Sequence, residues 1–366
     1  MGPDPSDLRL YRFRLRLFVA AGIALGSGRF SPVARAGSTG GSSSDSSTGD
    51  ASSSDGTTEA STSSDGGSSD GGSSDGTSEG GTAADGGSSS SGVTSVPGTE
   101  GTGGGTSTGP EDSGELPCGG CYGRPYVVEQ RACVAEVSDD PTWSDAAPLE
   151  GLDRLAPEQR AALAAFWTEA GLSEHSSVAG FHRFALDLLA HGAPAELVAR
   201  AQRAAVQELE HARACFGLAT AYAGRAVGPG RIPLGPGAPI AASLVELAVW
   251  TVHEGCVGET VAAWLADEIH AHATDPTVRA TMAKIAAEEA EHAALSWSTV
   301  RWAIAVGGAT VARAVEESFA SARVDPRLPS RAECVAHGLM RSDAVVATMR
   351  RAFEEVVQPC ARRLVA

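Results

Sequence analysis

Two short motifs carry the chemistry in this sequence, Glu208-Leu-Glu-His211 and Glu289-Ala-Glu-His292. On an α-helix a Glu and a His three positions apart share one face, so each motif aims a carboxylate and an imidazole at the same point. One such pair arises by chance in helices rich in Ala, Glu and His. Two in one chain are a stronger signal, and oxygen and nitrogen donors without thiolates suit iron or manganese.

Further ligands are found by their depth along a helical hairpin, because residues that face each other lie equally far from the turn. Glu174 and His211 are equidistant from the Gly192-Ala193 turn. Glu254 and Glu259 both pair acceptably with His292 across a turn at Ala273 to Pro276. Glu254 is preferred: Glu174 to Glu208 spans 34 positions, Glu254 to Glu289 spans 35, and Glu259 to Glu289 spans only 30. Five positions turn an α-helix through about 140°, so both can face the site only if Gly255 to Gly258 contains a π-bulge. The candidate metal ligands are therefore Glu174, Glu208, His211, Glu254 or Glu259, Glu289 and His292. Four carboxylates and two imidazoles carry a charge that two divalent cations balance. Without cations, buried carboxylates must take up protons. Glu210, Glu288 and Glu291 are expected to face outward. His175 and His253 adjoin the ligands and fit either a supporting or a surface role. Trp167, Phe181, Phe184, Trp250, Trp264 and Trp297 fit core and rim packing.

Helices long enough to carry these residues are legible from Pro157 onward, where apolar residues recur at spacings of three and four. Pro and Gly punctuate them. The first helix is expected from Pro157 to about His191, the second from Pro194 to about Tyr222, the third from about Ile240 to His272, and the fourth from Pro276 to about Ala305. Short turns close two antiparallel hairpins. Gly224 to Pro239 holds four Pro and five Gly, and at roughly 3.3 Å per residue it can run the length of a bundle. Two hairpins joined by one long crossover match the connectivity of ferritin-like bundles. Gly307-Gly308 then breaks the chain, and residues 306–366 are expected to add shorter helices on the outside.

The ligand order Glu, Glu-x-x-His, Glu, Glu-x-x-His over residues 157–305 resembles the ferritin-like superfamily with its di-iron carboxylate arrangement. The stretches Glu174-His-Ser-Ser-Val-Ala-Gly-Phe181 and Glu254-Gly-Cys-Val-Gly-Glu-Thr-Val261 are also similar to bacterial ferritin-like proteins with secreted or envelope-tethered members. The resemblance implies an all-α four-helix bundle, two iron ions (or manganese), and the seven candidate ligands already named. It also implies O2 or peroxide as a reaction partner, with an electron donor or small substrate that the sequence does not specify. The expected function is a di-metal redox protein of ferroxidase or oxygenase type. A non-catalytic metal-binding or stress-protective module, and a structural bundle with a buried polar network, are the alternatives. The chain lacks the rubredoxin-like module that supplies electrons in rubrerythrin-like members.

The rest of the chain concerns placement. Its 366 residues carry 28 Lys+Arg against 45 Asp+Glu, a formal charge of −17. Residues 37–115 are almost only Ser, Gly, Thr, Asp and Glu, with 13 acidic residues and no Lys or Arg. Such a tract has nothing from which to build a core and is expected to be a disordered spacer. Its 79 residues reach roughly 50 Å as a flexible coil. Arg9, Arg12, Arg14 and Arg16 precede the apolar run Leu17 to Leu25, which reads as a secretory signal with Ala34-Arg35-Ala36 as its cleavage motif. Residues 1–36 are thus the expected leader, and an exported protein in the periplasm or at the cell surface follows. The folded remainder keeps a negative balance, so bulk charge argues against a nucleic-acid partner. Among seven Cys, Cys118, Cys121 and Cys133 suggest a small disulfide-tied loop within the irregular segment 116–156. Cys334 and Cys360 offer a C-terminal staple, and Cys215 and Cys256 fit buried thiols.

Overall fold

The computed structural model describes residues 5–20, 123–128, 131–235, 239–324, 328 and 333–365. The acidic tract 37–115, the Ala34-Arg35-Ala36 motif, and Cys118 and Cys121 lie outside them. The chain is all-α. Regular strands among the described residues are four pairs of residues: β1 (Val127–Val128) joins β2 (Arg131–Ala132), and β3 (Val137–Ser138) joins β4 (Gly228–Pro229), both antiparallel.

Helix α1 (Pro5–Ala20) covers the first part of the expected leader and lies against the helical domain. Its Leu10 and Leu17 are buried with Trp264 and Trp297, and Arg9 pairs with Asp267 at 3.3 Å and Glu268 at 2.5 Å. No helix among the described residues is long and apolar enough to cross a membrane.

The long helices begin and end where local chemistry dictates. α2 (Pro157–Ala190) opens on Pro157, whose missing N–H costs nothing in the first turn, and Gln159 reaches back to accept from the Ala156 N–H at 3.0 Å. Four residues, with Gly192 at φ 68°, turn the chain into α3 (Ala195–Ala223). That helix stops at Gly224 in the left-handed conformation, which Gly adopts without a Cβ penalty. The following Pro/Gly-rich connector runs to Ser243. There the Ser243 hydroxyl accepts from the Glu246 N–H and starts α4 (Leu244–Trp250) four residues later than the periodicity suggests. α4 winds without a break into a π-helical stretch, Thr251–Glu259, and then α5 (Thr260–His272). Asp275 caps α6 (Pro276–Ser321), accepting from Val278 N–H at 2.9 Å. α6 runs well beyond Ala305. The expected break falls at Gly308 (φ 61°, ψ −147°), where the helix changes direction and resumes. α7 (Ser342–Ala352), a π-turn at Phe353–Val357 and α8 (Gln358–Leu364) complete the chain.

α2 packs along α3, α5 along α6, and the two hairpins meet through α3 and α6. Apolar residues form two cores along this arrangement. One holds Trp167, Phe216, Ile269 and Met282; the other holds Phe181, Phe184, Leu188 and Leu247. The C-terminal helices bury Phe353, Val356, Val357 and Cys360 against Trp264 and Val300.

The expected Cys334–Cys360 staple does not form. Both thiols are free, because Cys334 packs with the cluster around Trp167 and Cys360 with the one around Trp297. Cys133 is likewise a free thiol, the other two cysteines of the expected disulfide-tied loop lie outside the described residues, and Cys215 and Cys256 are buried.

Candidate metal centre

α2, α3 and α6 each pass from one of these apolar cores to the other, with their candidate ligands at the changeover; Glu254 and Glu259 lie instead among Val252, Cys256, Val257 and Val261 of the cluster around Trp264. On α2, Leu163 to Leu172 belong to one core and Phe181 to Leu188 to the other, with Glu174 between. On α3, Glu208 and His211 separate Ala205 from Ala212. Glu289 and His292 on α6 separate Ala286 from Leu295 in the same way. Glu174, Glu208, His211, Glu289 and His292 thus share one polar layer between the two cores.

Two overlapping groups result. Glu174, Glu208, His211 and Glu289 each offer a ligand atom within 4.8 Å of the others, and so do Glu208, Glu259, Glu289 and His292. Glu208 and Glu289 belong to both. His211 Nδ1 stands 3.3 Å from Glu289 Oε1, 3.7 Å from Glu208 Oε2 and 3.9 Å from Glu174 Oε2. His292 Nδ1 stands 3.1 Å from Glu208 Oε1 and 3.5 Å from Glu289 Oε2. All are buried except Glu174, whose side chain is 16% exposed.

The imidazoles are oriented from behind in a symmetric way. His211 Nε2 lies 2.7 Å from Glu288 Oε2, and His292 Nε2 lies 2.9 Å from Gln207 Oε1. A neutral ring that donates Nε2–H to these oxygens presents the lone pair of Nδ1 to the cluster, the tautomer a metal ligand needs. Glu288 therefore does not face outward as expected. Each supporting residue immediately precedes a shared Glu on the opposite helix, and that position in the two motifs is the sequence signal that identifies them. Glu210 and Glu291 are exposed, with Glu210 paired to Lys284.

The preference for Glu254 is corrected. The π-helical stretch Thr251–Glu259 widens the helix between the two candidates, and Glu259, fully buried, reaches the cluster. Glu254 is held instead by Arg183, and by Arg124 at 3.6 Å. Its charge is already balanced, whereas that of the cluster is not. Arg124 went unnoticed in the sequence because it lies in the irregular segment ahead of the helices. It is 1% exposed, donates to Ser296 Oγ at 2.8 Å, stacks over the Phe184 ring at 3.9 Å and stands 3.8 Å from Glu259. His175 packs edge-on against Trp143, and His253 bonds Ser318 at 2.8 Å; neither belongs to the cluster.

Small residues let the Arg124 segment lie this deep. A Cβ on Gly180 would collide with the Arg124 carbonyl, and one on Gly255 with Ser296 and the Arg124 guanidinium. We expect Gly255→Val to cost about 1–3 kcal/mol through overpacking, measured by chemical denaturation. An unchanged midpoint would show that Arg124 is not seated there.

The fit to metal ions is read from the atoms left without partners. Both oxygens of Glu208 and Glu259, Glu289 Oε2, and Nδ1 of His211 and His292 are buried with no hydrogen bond. Such groups cost folding free energy unless something else satisfies them, and cations do so for all seven at once. Protons are the substitute. Burial, then the charges of Glu208 and Glu289, push Glu174 well above the carboxylate range. Burial, then Glu289, does the same to Glu259. Burial and Glu289 also push Glu208 up, but the His211 and His292 imidazoles, 3.7 Å and 3.1 Å away, outweigh them and hold it low. Burial opposes the charged form of His292, yet Glu289 and Glu208 lift it to about 9. This buried Glu/His group can therefore hold metal ions, its oxygen and nitrogen donors suiting hard or borderline cations.

No protein-family model, no curated protein and no solved structure matches this chain.

Proposed function

We propose that residues 157–305 form a ferritin-like four-helix bundle that binds two iron ions, or two manganese ions, and performs redox chemistry with O2, peroxide or Fe(II). The observation that carries the proposal is the sharing of Glu208 and Glu289 between two ligand groups. Two sites that share two carboxylates would hold two cations, with Glu174 and His211 completing one set of donors and Glu259 and His292 the other. The metals would supply electron transfer to oxygen. The protein supplies the donors, keeps both imidazoles in the Nδ1-presenting tautomer through Glu288 and Gln207, and excludes bulk water by the two apolar cores. Arg124, beside Glu259, offsets part of the negative charge on that side. In this reading the protein is exported and carried in the periplasm or at the cell surface by the acidic tract.

The test is direct. Protein grown with iron, or reconstituted anaerobically with Fe(II), is expected to hold close to two metal ions per chain by elemental analysis. Mixed with O2, the bound Fe(II) is expected to oxidise much faster than the free ion, and repeatedly when an electron donor is present. Absence of transition metal after reconstitution sinks the metal reading. Iron that binds but oxidises no faster than free Fe(II) leaves a metal-binding module and sinks the redox one.

A further inference from the structure

One wall of the metal layer opens into a cavity that the ligand chemistry does not use. It measures about 420 Å³, within the roughly 300–1,000 Å³ range of small-ligand sites. Trp167, Leu265, Met282 and Leu339 are among its lining residues, and the Glu174 and Glu289 side chains belong to the same surface. Apolar groups dominate the lining, and two of its few carboxylates are ligands of the proposed metal pair.

The cavity depends on the C-terminal segment, which supplies Leu339, Met340 and Val345 to its lining. That segment is fastened by several independent contacts. The Ala336 carbonyl accepts from the Thr274 and Asp275 N–H groups at 3.0 Å each, and the buried Tyr222 hydroxyl meets His337 Nδ1 at 2.9 Å; within the segment itself, Cys334 pairs with Leu339 as an antiparallel bridge. Gly338, at φ 86°, lies so close to Trp167 that a Cβ there would clash with its ring and crowd Ile269. A segment fastened in this way forms one wall of a partly open cleft, where an extension packed elsewhere on the domain would have left the surface without that wall.

We propose that this cavity is the binding site for a neutral, mainly apolar small molecule, whose polar end meets the Glu174 and Glu289 side of the metal pair. The inference rests on the reading under Proposed function and names the class of molecule that the site takes. Charge selects against an anionic occupant in the metal-free protein, because the Glu289 and Glu169 carboxylates border the space. Size selects against a polymer. An aqueous cation gains nothing from such walls, since they present few oxygen donors, whereas an alkyl or aryl group buried there gains about 25 cal/mol per Å² of apolar surface removed from water.

The probe is 1-decanol, titrated calorimetrically into the full chain after its metal content has been measured. One equivalent is expected to bind, and in protein reconstituted with Co(II) its binding is expected to shift the visible absorption of the metal. Ala266→Phe, which fills the cavity from the buried face of α5, is expected to weaken decanol at least tenfold while metal content stays unchanged. Met282→Trp serves if the first variant does not fold. On the unmutated protein, a diazirine-bearing decanol is expected to label Met282 or the 334–345 segment. No binding, binding that leaves the Co(II) spectrum unmoved, or labelling confined to other surfaces overturns the proposal. Failure to take up metal is seen before decanol is added, and it overturns the metal reading separately.

Discussion

Glu289→Ala is expected to reduce the metal content of the chain from close to two ions to close to none, and Glu208→Ala to do the same. Each removes a carboxylate that both ligand groups share, so neither remaining set keeps its cation. Glu259→Ala removes a ligand from one group only and is expected to empty or weaken one site. Glu288→Ala and Gln207→Ala leave all six ligands present but free the backs of His211 and His292, and a loss of about 10–100-fold in metal affinity is expected. Glu210→Ala and Glu291→Ala, on exposed positions, are expected to change nothing. The informative contrast is Glu254→Gln, which keeps both metals and instead loses stability, by about 1–3 kcal/mol, because the buried Arg183 is left with Asp187 at 3.8 Å and the Val127 carbonyl as partners. If Glu254→Gln lost metal while Glu259→Ala retained it, the ligand assignment on the third helix would be reversed.

Metal removal should make stability strongly pH-dependent, in a direction fixed by the cluster. His292 is lifted from 6.5 to about 9 in the folded protein. A raised value means that its contribution is fully present below pH 6.5 and is lost as pH rises through about 9. Glu174 and Glu259, also raised, lose stability with rising pH as well. Glu208 is depressed, so its contribution is present above pH 4.5 and is lost only as pH falls below that. Between pH 6 and 9 these shifts together make the metal-free protein less stable as pH rises. For His292 alone the change is at most about 3 kcal/mol, at 1.36 kcal/mol per pKa unit. Bound cations take the place of those protons, so the gap in melting temperature between metal-loaded and metal-free protein is expected to widen by on the order of 10 °C over this range. Scanning calorimetry at pH 6, 7.5 and 9 checks it, and a constant or narrowing gap refutes the protonation account of the empty cluster.

The helices, their hairpin turns and the paired motifs were legible in the sequence because they depend on residues close together in the chain. Pro157, Gly192, Gly224 and Pro276 punctuate the helices through local backbone geometry. The three-residue spacing in each motif ensures that Glu208 and His211, or Glu289 and His292, share a face wherever that face turns. Gly308 likewise announced the change of direction in α6. The end of α6 was not legible: helical periodicity continues past the glycine, and Val311 and Val315 are buried against the C-terminal helices.

The sequence by itself determined which residue types could bind metal and that two helical hairpins would present them, since both follow from short-range rules. Tertiary structure alone decided between Glu254 and Glu259. Counting along an ideal helix favours Glu254, but the π-helical winding delivers Glu259 to the cluster, and Arg183 and Arg124, 71 and 130 positions upstream of Glu254 in the chain, neutralise the other candidate. The same holds for Glu288 and Gln207, which act on histidines of the opposite helix, and for the cavity, one wall of which comes from the C-terminal segment. Each of these rests on which charges and surfaces meet when distant segments pack, and the free energy of a buried charge is set by those neighbours and by nothing in its own stretch of sequence.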